Sequence, residues 1–286
     1  MLKNQKNKLL SLIIFNPVYN GIFFWFLFNM ELIIKKENGV CEIKLNRPEV
    51  FNSFNKAMAL QLQTVLDDCE SDDSVRVLLL TGEGKAFCAG QDLSEATDPN
   101  GPELSSIVRD HYNPIIEKIR NIEKPVIAAV NGVAAGAGAN IALACDIVFA
   151  KKSASFIQAF SKIGLIPDSG GTFFLPRIIG VQKALALMMT GDKVSSDEAE
   201  SLNMIYKSVE DADFENVVHE FISKIAIMPT RALGLTKKAV NNSLNNDLKS
   251  QLKLEELLQT EAGETNDFKE GVNAFLEKRK PIFKGN

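Results

Sequence analysis

The chain has 286 residues, 45% hydrophobic and 24% charged, the profile of a globular protein with ample length for a buried core in one large or two small domains. Lys+Arg number 32 against 36 Asp+Glu, a net charge of −4 that argues against a nucleic-acid-coating protein. Two histidines, His111 and His219, exclude a multi-histidine metal centre; the four cysteines (Cys41, Cys69, Cys88, Cys145) lack metal-ligand spacing and read as reduced thiols of a cytoplasmic protein.

Residues 1–29 differ in character from the rest of the chain. A basic start leads into an apolar, aromatic stretch from Leu9 to Phe28, broken by Asn16, Pro17 and Asn20. Positive charge before an apolar run is the pattern of a signal peptide or membrane anchor. No small-x-small cleavage site comes after it, however, and Asn16-Pro17 weakens a spanning helix. Met30 opens a strand-rich segment and reads as the natural start, which makes 1–29 an N-terminal extension produced by a start codon assigned too far upstream. A membrane-tethered, non-catalytic binding protein is the alternative.

From Met30 the elements alternate. Leu32–Lys36 and Val40–Leu45 predict a hairpin about Asn38-Gly39. Helical spacing marks Ala57–Cys69, and Val75–Leu80 is a buried strand ending at Thr81-Gly82. A helix is predicted from Glu103 to Ile122, then buried strands at Pro125–Val130 and Asp146–Ala150. Beyond Thr172 the pattern is helical throughout: Gln182–Thr190, Ser196–Leu202, Phe214–Ile227, Arg231–Asn242, Leu248–Ala262 and Asp267–Lys278. The reading is an α/β core of stacked βαβ units, residues 30–225, followed by a C-terminal helical region, residues 226–286.

Two glycine-containing corners could carry chemistry, Leu80–Leu93 and Val130–Ala142, each running from a strand toward a helix. Amide hydrogens at such corners point outward, and small residues let a ligand approach the backbone. Two converging N–H donors would form an oxyanion hole. Taken singly, Gly136-Ala137-Gly138-Ala139 reads equally as a tightly packed helix, and Gly82–Lys85 as a plain turn. Neither GxxxxGK[ST] nor GxGxxG after the first strand is present, so nucleotide-phosphate motifs do not fit.

The combination is more specific. Asn46-Arg47-Pro48 with Asn52-Ser53, then Ala86-Phe87-Cys88-Ala89-Gly90-Gln91-Asp92-Leu93, then Lys124-Pro125-Val126-Ile127-Ala128-Ala129-Val130-Asn131-Gly132 resemble the enoyl-CoA hydratase/isomerase (crotonase) superfamily. Gly164–Thr172 and Glu270–Arg279 continue the likeness to the C-terminus. The resemblance implies a crotonase-like ββα superhelix with a C-terminal helical trimerisation region, an acyl-CoA thioester substrate, and a homotrimer or dimer of trimers. No cofactor is implied, coenzyme A being part of the substrate, nor any metal, nucleic acid or membrane partner.

Carried over by position, the oxyanion donors are the backbone N–H groups of Gln91 and Ala137. The Ala89 carbonyl would meet the adenine amine; Phe275 and Lys278, spaced i, i+3, would reach the coenzyme A of a neighbouring subunit. Lys85 and Arg47 are candidate phosphate partners. Hydratases of the superfamily use two glutamates, and those positions here hold Asn140 and Phe160. One carboxylate remains, Asp168, among Phe160, Ile163, Leu165, Ile166 and Phe173, an apolar setting that would raise its pKa toward that of a general base. The plainer reading is that Asp168 caps a helix starting near Gly170.

The strings Phe87–Leu93, Asn131–Ala139, Ala159–Asp168 and Tyr112-Asn113-Pro114 most resemble the branch that isomerises a ring epoxide of phenylacetyl-CoA in aerobic phenylacetate breakdown. That implies conversion of a ring-1,2-epoxide to an oxepin, or a shift of Δ3 double bonds to Δ2 as in fatty acid metabolism, with Phe160 and Phe173 lining the acyl group. A hydratase is the alternative. His111 is expected to be exposed or to stand behind the site, His219 at the surface, and Cys88 and Cys145 to be packing thiols.

Overall fold

The computed structural model describes residues 31–286. The N-terminal extension, with Leu9–Phe28 as a signal or anchor, lies outside the described residues. Among the described residues no helix is long and apolar enough to cross a membrane.

The hairpin forms as predicted from β1 (Leu32–Glu37) and β2 (Val40–Leu45). Asn38 and Gly39 take φ of 51° and 80°, the left-handed pair that a two-residue turn needs. In α1 (Lys56–Ser71), Asn55 caps the N-terminus by accepting from Met58 N–H, and Met58, Leu62, Val65, Leu66 and Cys69 are buried. Then come β3 (Val77–Gly82), β4 (Ala86–Cys88), α2 (Leu93–Ala96) and α3 (Leu104–Ser106).

The single helix predicted over Glu103–Ile122 is in fact α3, a π-helical turn at Ile107–Tyr112, and α4 (Asn113–Asn121). Pro114 is the physical reason. It has no N–H for the Asp110 carbonyl four residues back, and Gln63 Nε2 donates there instead at 2.8 Å.

The chain continues through β5 (Val126–Val130), β6 (Val133–Ala135), α5 (Ala137–Ala144), β7 (Ile147–Lys151) and β8 (Ser155–Ile157). Next are α6 (Gly171–Ile179), α7 (Val181–Thr190), β9 (Lys193–Ser195), α8 (Ser196–Ser201) and β10 (Lys207–Val209). The last four helices are α9 (Phe214–Ala226), α10 (Thr230–Ser243), α11 (Leu248–Glu264) and α12 (Asn266–Leu276).

Two sheets result. The larger runs β1-β2-β3-β5-β7-β10 and is parallel apart from the hairpin; the smaller runs β4-β6-β8-β9, with β9 antiparallel. Three times the chain leaves the large sheet, adds a strand to the small one and enters a helix: β3-β4, β5-β6 and β7-β8. This is the ββα repeat that the resemblance implies. The periodicity did not foretell the small sheet, nor β9 and β10 in the stretch read as wholly helical, because three residues cannot display a period of two.

Helices α1, α4, α5 and α6 pack on one face of the large sheet, in a cluster that includes Met58, Leu80, Ile115, Val130 and Ile141. On the other face α9 brings Phe214, Val218 and Ile222 onto Val77, Leu79, Ile127 and Phe149. All eight residues of α5 are buried, which its Ala, Gly, Asn, Ile and Leu composition permits.

Candidate active site

The carboxyl ends of β4, β6 and β8, parallel neighbours in the small sheet, lead to three turns. After β4 the turn is Ala89-Gly90-Gln91, after β6 it is Gly136-Ala137, and after β8 it runs from Gln158 to Asp168. Parallel register therefore brings together residues up to 79 positions apart in sequence.

The motif residues hold these turns. Asn52 Nδ2 donates to the carbonyls of Glu83 and Ala86, at 2.9 and 2.8 Å. Asn131 Oδ1 accepts from Gly82 N–H at 3.1 Å, and its Nδ2 donates to Gly84 O at 3.0 Å. A Cβ at Gly82 would stand 2.2 Å from Ala86 O, and one at Gly132 would stand 2.1 Å from Lys85 O. Arg47, a candidate phosphate partner by sequence, is committed elsewhere. It donates to Ser53 O at 2.6 Å and pairs with Asp92 at 2.8 Å and Glu31 at 3.3 Å.

Gln91 and Ala137 are neighbours through Gly90. A methyl on Gly90, whose φ is +97°, would stand 3.0 Å from Ala135 O and 3.6 Å from Ala137 N. Gly138 lies against Cys88 so closely that a Cβ would stand 2.5 Å from Cys88 O. The segment is thus the tightly packed helix of the plainer reading, and its first turn lies beside Gly90.

On either side of Gln91, Phe54 N–H donates to Gly90 O and Asp92 N–H donates to Phe54 O, at 2.7 and 2.8 Å. That parallel bridge turns the Gln91 N–H the other way. Ala137 is the first residue of α5, where an N–H has no partner within its own helix. Gly136 before it takes φ 53° and ψ −128°, a conformation for glycine, and a Cβ there would stand 3.9 Å from the Phe160 ring.

Gln91 is further tied by its side chain. The buried Tyr112 hydroxyl donates to Gln91 Oε1 at 2.8 Å, and Gln91 Nε2 donates to Glu95 at 3.2 Å. Burial pushes the Tyr112 phenol well above its ordinary pKa, and the Cys88, Asp168 and Glu95 groups push it further. In the sequence Tyr112 stood out only as part of a string.

Asp168 is half-buried. Burial raises its carboxyl above the ordinary carboxylate pKa, against the Ser169 hydroxyl, which donates to Oδ1 at 2.9 Å and lowers it. Three of the five apolar residues expected around it are at the surface. Ile163, Leu165 and Ile166 are exposed, Ile166 by 80%. The loop instead seats Gly170 against Phe174 and Ile116, and Gly171 against Asn140. The capping alternative fails: α6 begins at Gly171 behind the left-handed Gly170, with no side-chain cap.

Asn140 is wholly buried. Its Nδ2 donates to the Asp168 carbonyl and its Oδ1 accepts from Gln158 Nε2, both at 2.8 Å. Phe160 is buried and Phe173 half-buried, the latter beneath the Arg177 guanidinium at 3.7 Å.

The remaining candidates are Ala89, Phe275 and Lys278. Ala89 is exposed at the lip of the first turn, its N–H donating to Phe51 O at 3.0 Å. Phe275 is 83% exposed near the end of α12. Lys278 is not on its helical face, because α12 stops at Leu276 and Lys278 sits in the turn beyond, at φ 56°. The tail after α12 is held at the amino end of β3, where Arg76 donates to Phe283 O and Met228 O. That is the opposite end of the strand from the three turns, and within one chain these hydrogen bonds tie the tail away from Asp168.

His111 is buried, not exposed: 4% of its surface is accessible and its Nδ1 has no partner. Burial lowers its pKa. His219 is at the surface as expected. Cys88 and Cys145 are packing thiols, each pushed up to about 12 by burial. No group of three or more His, Cys, Asp or Glu residues suited to a metal occurs among the described residues.

Comparison with known proteins agrees with this architecture. The enoyl-CoA hydratase/isomerase family profile matches residues 35–286. A protein of Escherichia coli strain K12 named 1,2-epoxyphenylacetyl-CoA isomerase is 48% identical over 260 residues, 90% of this chain and 99% of its own. The trans-2-decenoyl-acyl-carrier-protein isomerase of Streptococcus mutans is 37% identical over 260 residues, 89% of this chain and 98% of its own. Among solved structures, an enoyl-CoA hydratase from Bacillus anthracis superposes with a TM-score of 0.84 at 36% identity, covering 90% of this chain and all of the other. With paired sheets, three converging turns and the motifs that hold them, the chain belongs to the enoyl-CoA hydratase/isomerase family.

Proposed function

We propose that the chain is an isomerase of acyl-CoA thioesters in which Asp168 moves a proton between two carbons while Gln91 N–H and Ala137 N–H hold the thioester oxygen. The observation that carries this reading is the half-buried Asp168 with its raised pKa, beside an Asn140 whose amide is committed to hydrogen bonds. A hydratase of the two-glutamate kind needs a second acid, and neither Asn140 nor Phe160 can exchange a proton.

Asp168 takes the proton from the carbon next to the thioester. The charge passes to the carbonyl oxygen, where two amide donors stabilise it, one such donor being worth about 3 kcal/mol in a transition state. Asp168 then returns the same proton to a more distant carbon; with a ring epoxide, the carbon–carbon bond bridged by the epoxide oxygen also opens, its electron pair passing into the double bonds of the seven-membered oxepin. The formula of the substrate is unchanged, so no redox carrier takes part.

The 48% identity to the Escherichia coli isomerase supports a ring-1,2-epoxyphenylacetyl-CoA substrate with an oxepin product, in phenylacetate catabolism. A shift of a Δ3 double bond to Δ2 follows from the same chemistry. Phe160 and Phe173 supply the apolar wall for a ring or alkenyl chain, and Ala89 the lip nearest an adenine. Assembly as trimers, or dimers of trimers, in the cytoplasm completes the reading. It gives Phe275 and Lys278 a place at the coenzyme A of a neighbour.

The test is incubation of purified protein with the ring-epoxide thioester and with a Δ3-enoyl-CoA. Asp168→Asn should lower turnover by roughly 10²–10⁴, the range for positioned acid–base catalysis. In the parent, kcat/KM should fall with decreasing pH through a limb above the ordinary carboxylate range of about 4. Full turnover by Asp168→Asn removes the base from the mechanism, and rapid addition of water to crotonyl-CoA would favour a hydratase.

A further inference from the structure

We infer that Asn140 is a positioning residue: one buried amide ties the Asp168 loop to the helix that presents Ala137, and so sets the base against the oxyanion donor. The inference rests on the reading of Asp168 as the base and goes beyond it, because it assigns what fixes that base in place.

The orientation of the amide follows from chemistry. A carbonyl only accepts, so the Asn140 atom 2.8 Å from Asp168 O is Nδ2. Oδ1 then faces Gln158, which must donate with Nε2, at 2.8 Å. Gln158 Oε1 is left buried without a partner, the unsatisfied end of the chain of amides. Asn140 N–H donates to Gly136 O at 3.2 Å, and Ala137 stands one helical turn earlier, so the amide is fixed to the second turn as well. Gln158 belongs to the third turn and Asp168 to its far end. A single side chain therefore joins both turns.

The fit is tight. A Cβ on Gly171 would stand 2.3 Å from Asn140 Nδ2, so the loop closes on the amide only because residue 171 is glycine. Ser169 takes φ 50°, a conformation that a serine holds only where its surroundings impose it. Asn140 is wholly buried and Gln158 is 3% exposed, so neither amide presents surface to a substrate. The polar groups that act on the Asp168 carboxyl are the Ser169 hydroxyl and its own backbone N–H, both on the loop itself; the Tyr112 phenol from the π-helical turn donates to Gln91 Oε1.

Asn140→Ala and Gly171→Ala test this, the first by removing the donor and the second by wedging the loop away from it. Two readouts are needed: the titration of the Asp168 carboxyl by carbon NMR, assigned by its absence in Asp168→Asn, and kcat against KM for isomerisation. In both variants Asp168 should titrate at lower pH, because a loosened loop admits water. With KM little changed, kcat should fall by about 10²-fold, the loss expected from an ångström-scale misplacement. The double variant should lose no more than either single one, since both break one contact.

A titration in Asn140→Ala that matches the parent overturns the proposal, and so does a double variant whose losses multiply. A part for Asn140 in packing alone would lower the melting temperature and leave the titration in place. Failure of the base reading has a different signature, Asp168→Asn retaining turnover, while the carboxyl titration still reports whether Asn140 holds the loop.

Discussion

Asp168, the proposed base, carries a cost in folding. Burial raises its folded-state pKa above the unfolded value near 3.8, so the folded chain binds that proton more tightly than the unfolded one. Ionisation then opposes folding. The destabilisation is absent below the unfolded pKa and grows as pH rises through the folded one. Asp168→Asn is accordingly expected to melt at a higher temperature than the parent at pH 7, with the difference narrowing as pH is lowered toward 4. Thermal melts across that range check it, and a lower melting temperature at neutral pH would contradict the sign. Asp168 was singled out in sequence because the resemblance places its Gly-x-Ile-Pro loop at the site. Its surroundings were not legible: Ile163, Leu165 and Ile166 are apolar yet exposed, while the loop packs through Gly170 on Ile116 and through Gly171 on Asn140, both far away in sequence.

Among the elements, legibility followed length. The hairpin, α1 and the long helices α9 to α12 have enough residues to show a period, and the predicted segments overlap the observed ones. The small sheet escaped because its strands are three residues each, although it is this sheet that aligns the three turns. The glycines and asparagines around those turns were visible as motifs, but their work was not, since it consists of hydrogen bonds between segments distant in sequence. Asn52 is the sharpest case. It sits at φ 55°, wholly buried, and donates to two carbonyls of the β3–β4 connection. Asn52→Ala removes the donor to Glu83 O, leaves Ala86 O only Asn131 Nδ2 at 3.3 Å, and takes the acceptor from Arg47 N–H; it is expected to lower stability by about 1–3 kcal/mol, measurable as a reduced urea midpoint at unchanged slope.

The whole molecule, taken as a single chain, leaves apolar side chains uncovered on its helical surfaces. Val181 and Met189 of α7, Leu248 and Leu257 of α11, and Phe268 and Phe275 of α12 are all more than half exposed. Association would bury them, and sedimentation should find the protein at three or six times the chain mass, with no monomer at micromolar concentration. A stable monomer that isomerises substrate at full rate would deny Phe275 and Lys278 their place at a neighbour's coenzyme A. Only the family resemblance, and no spacing in the sequence, assigns these two residues to a neighbour. Whether a side chain reaches another copy is a property of assembly, which no pattern within one chain encodes.

Strands of three residues cannot stand by themselves, and the small sheet persists because each of β4, β6 and β8 continues from a strand of the larger one. Its side chains Phe87, Ala134 and Phe156 also lie in one buried cluster with Leu80 and Val130 of the larger sheet. Warming should therefore dissolve both sheets together, so that turnover and secondary structure disappear at one temperature in parallel melts.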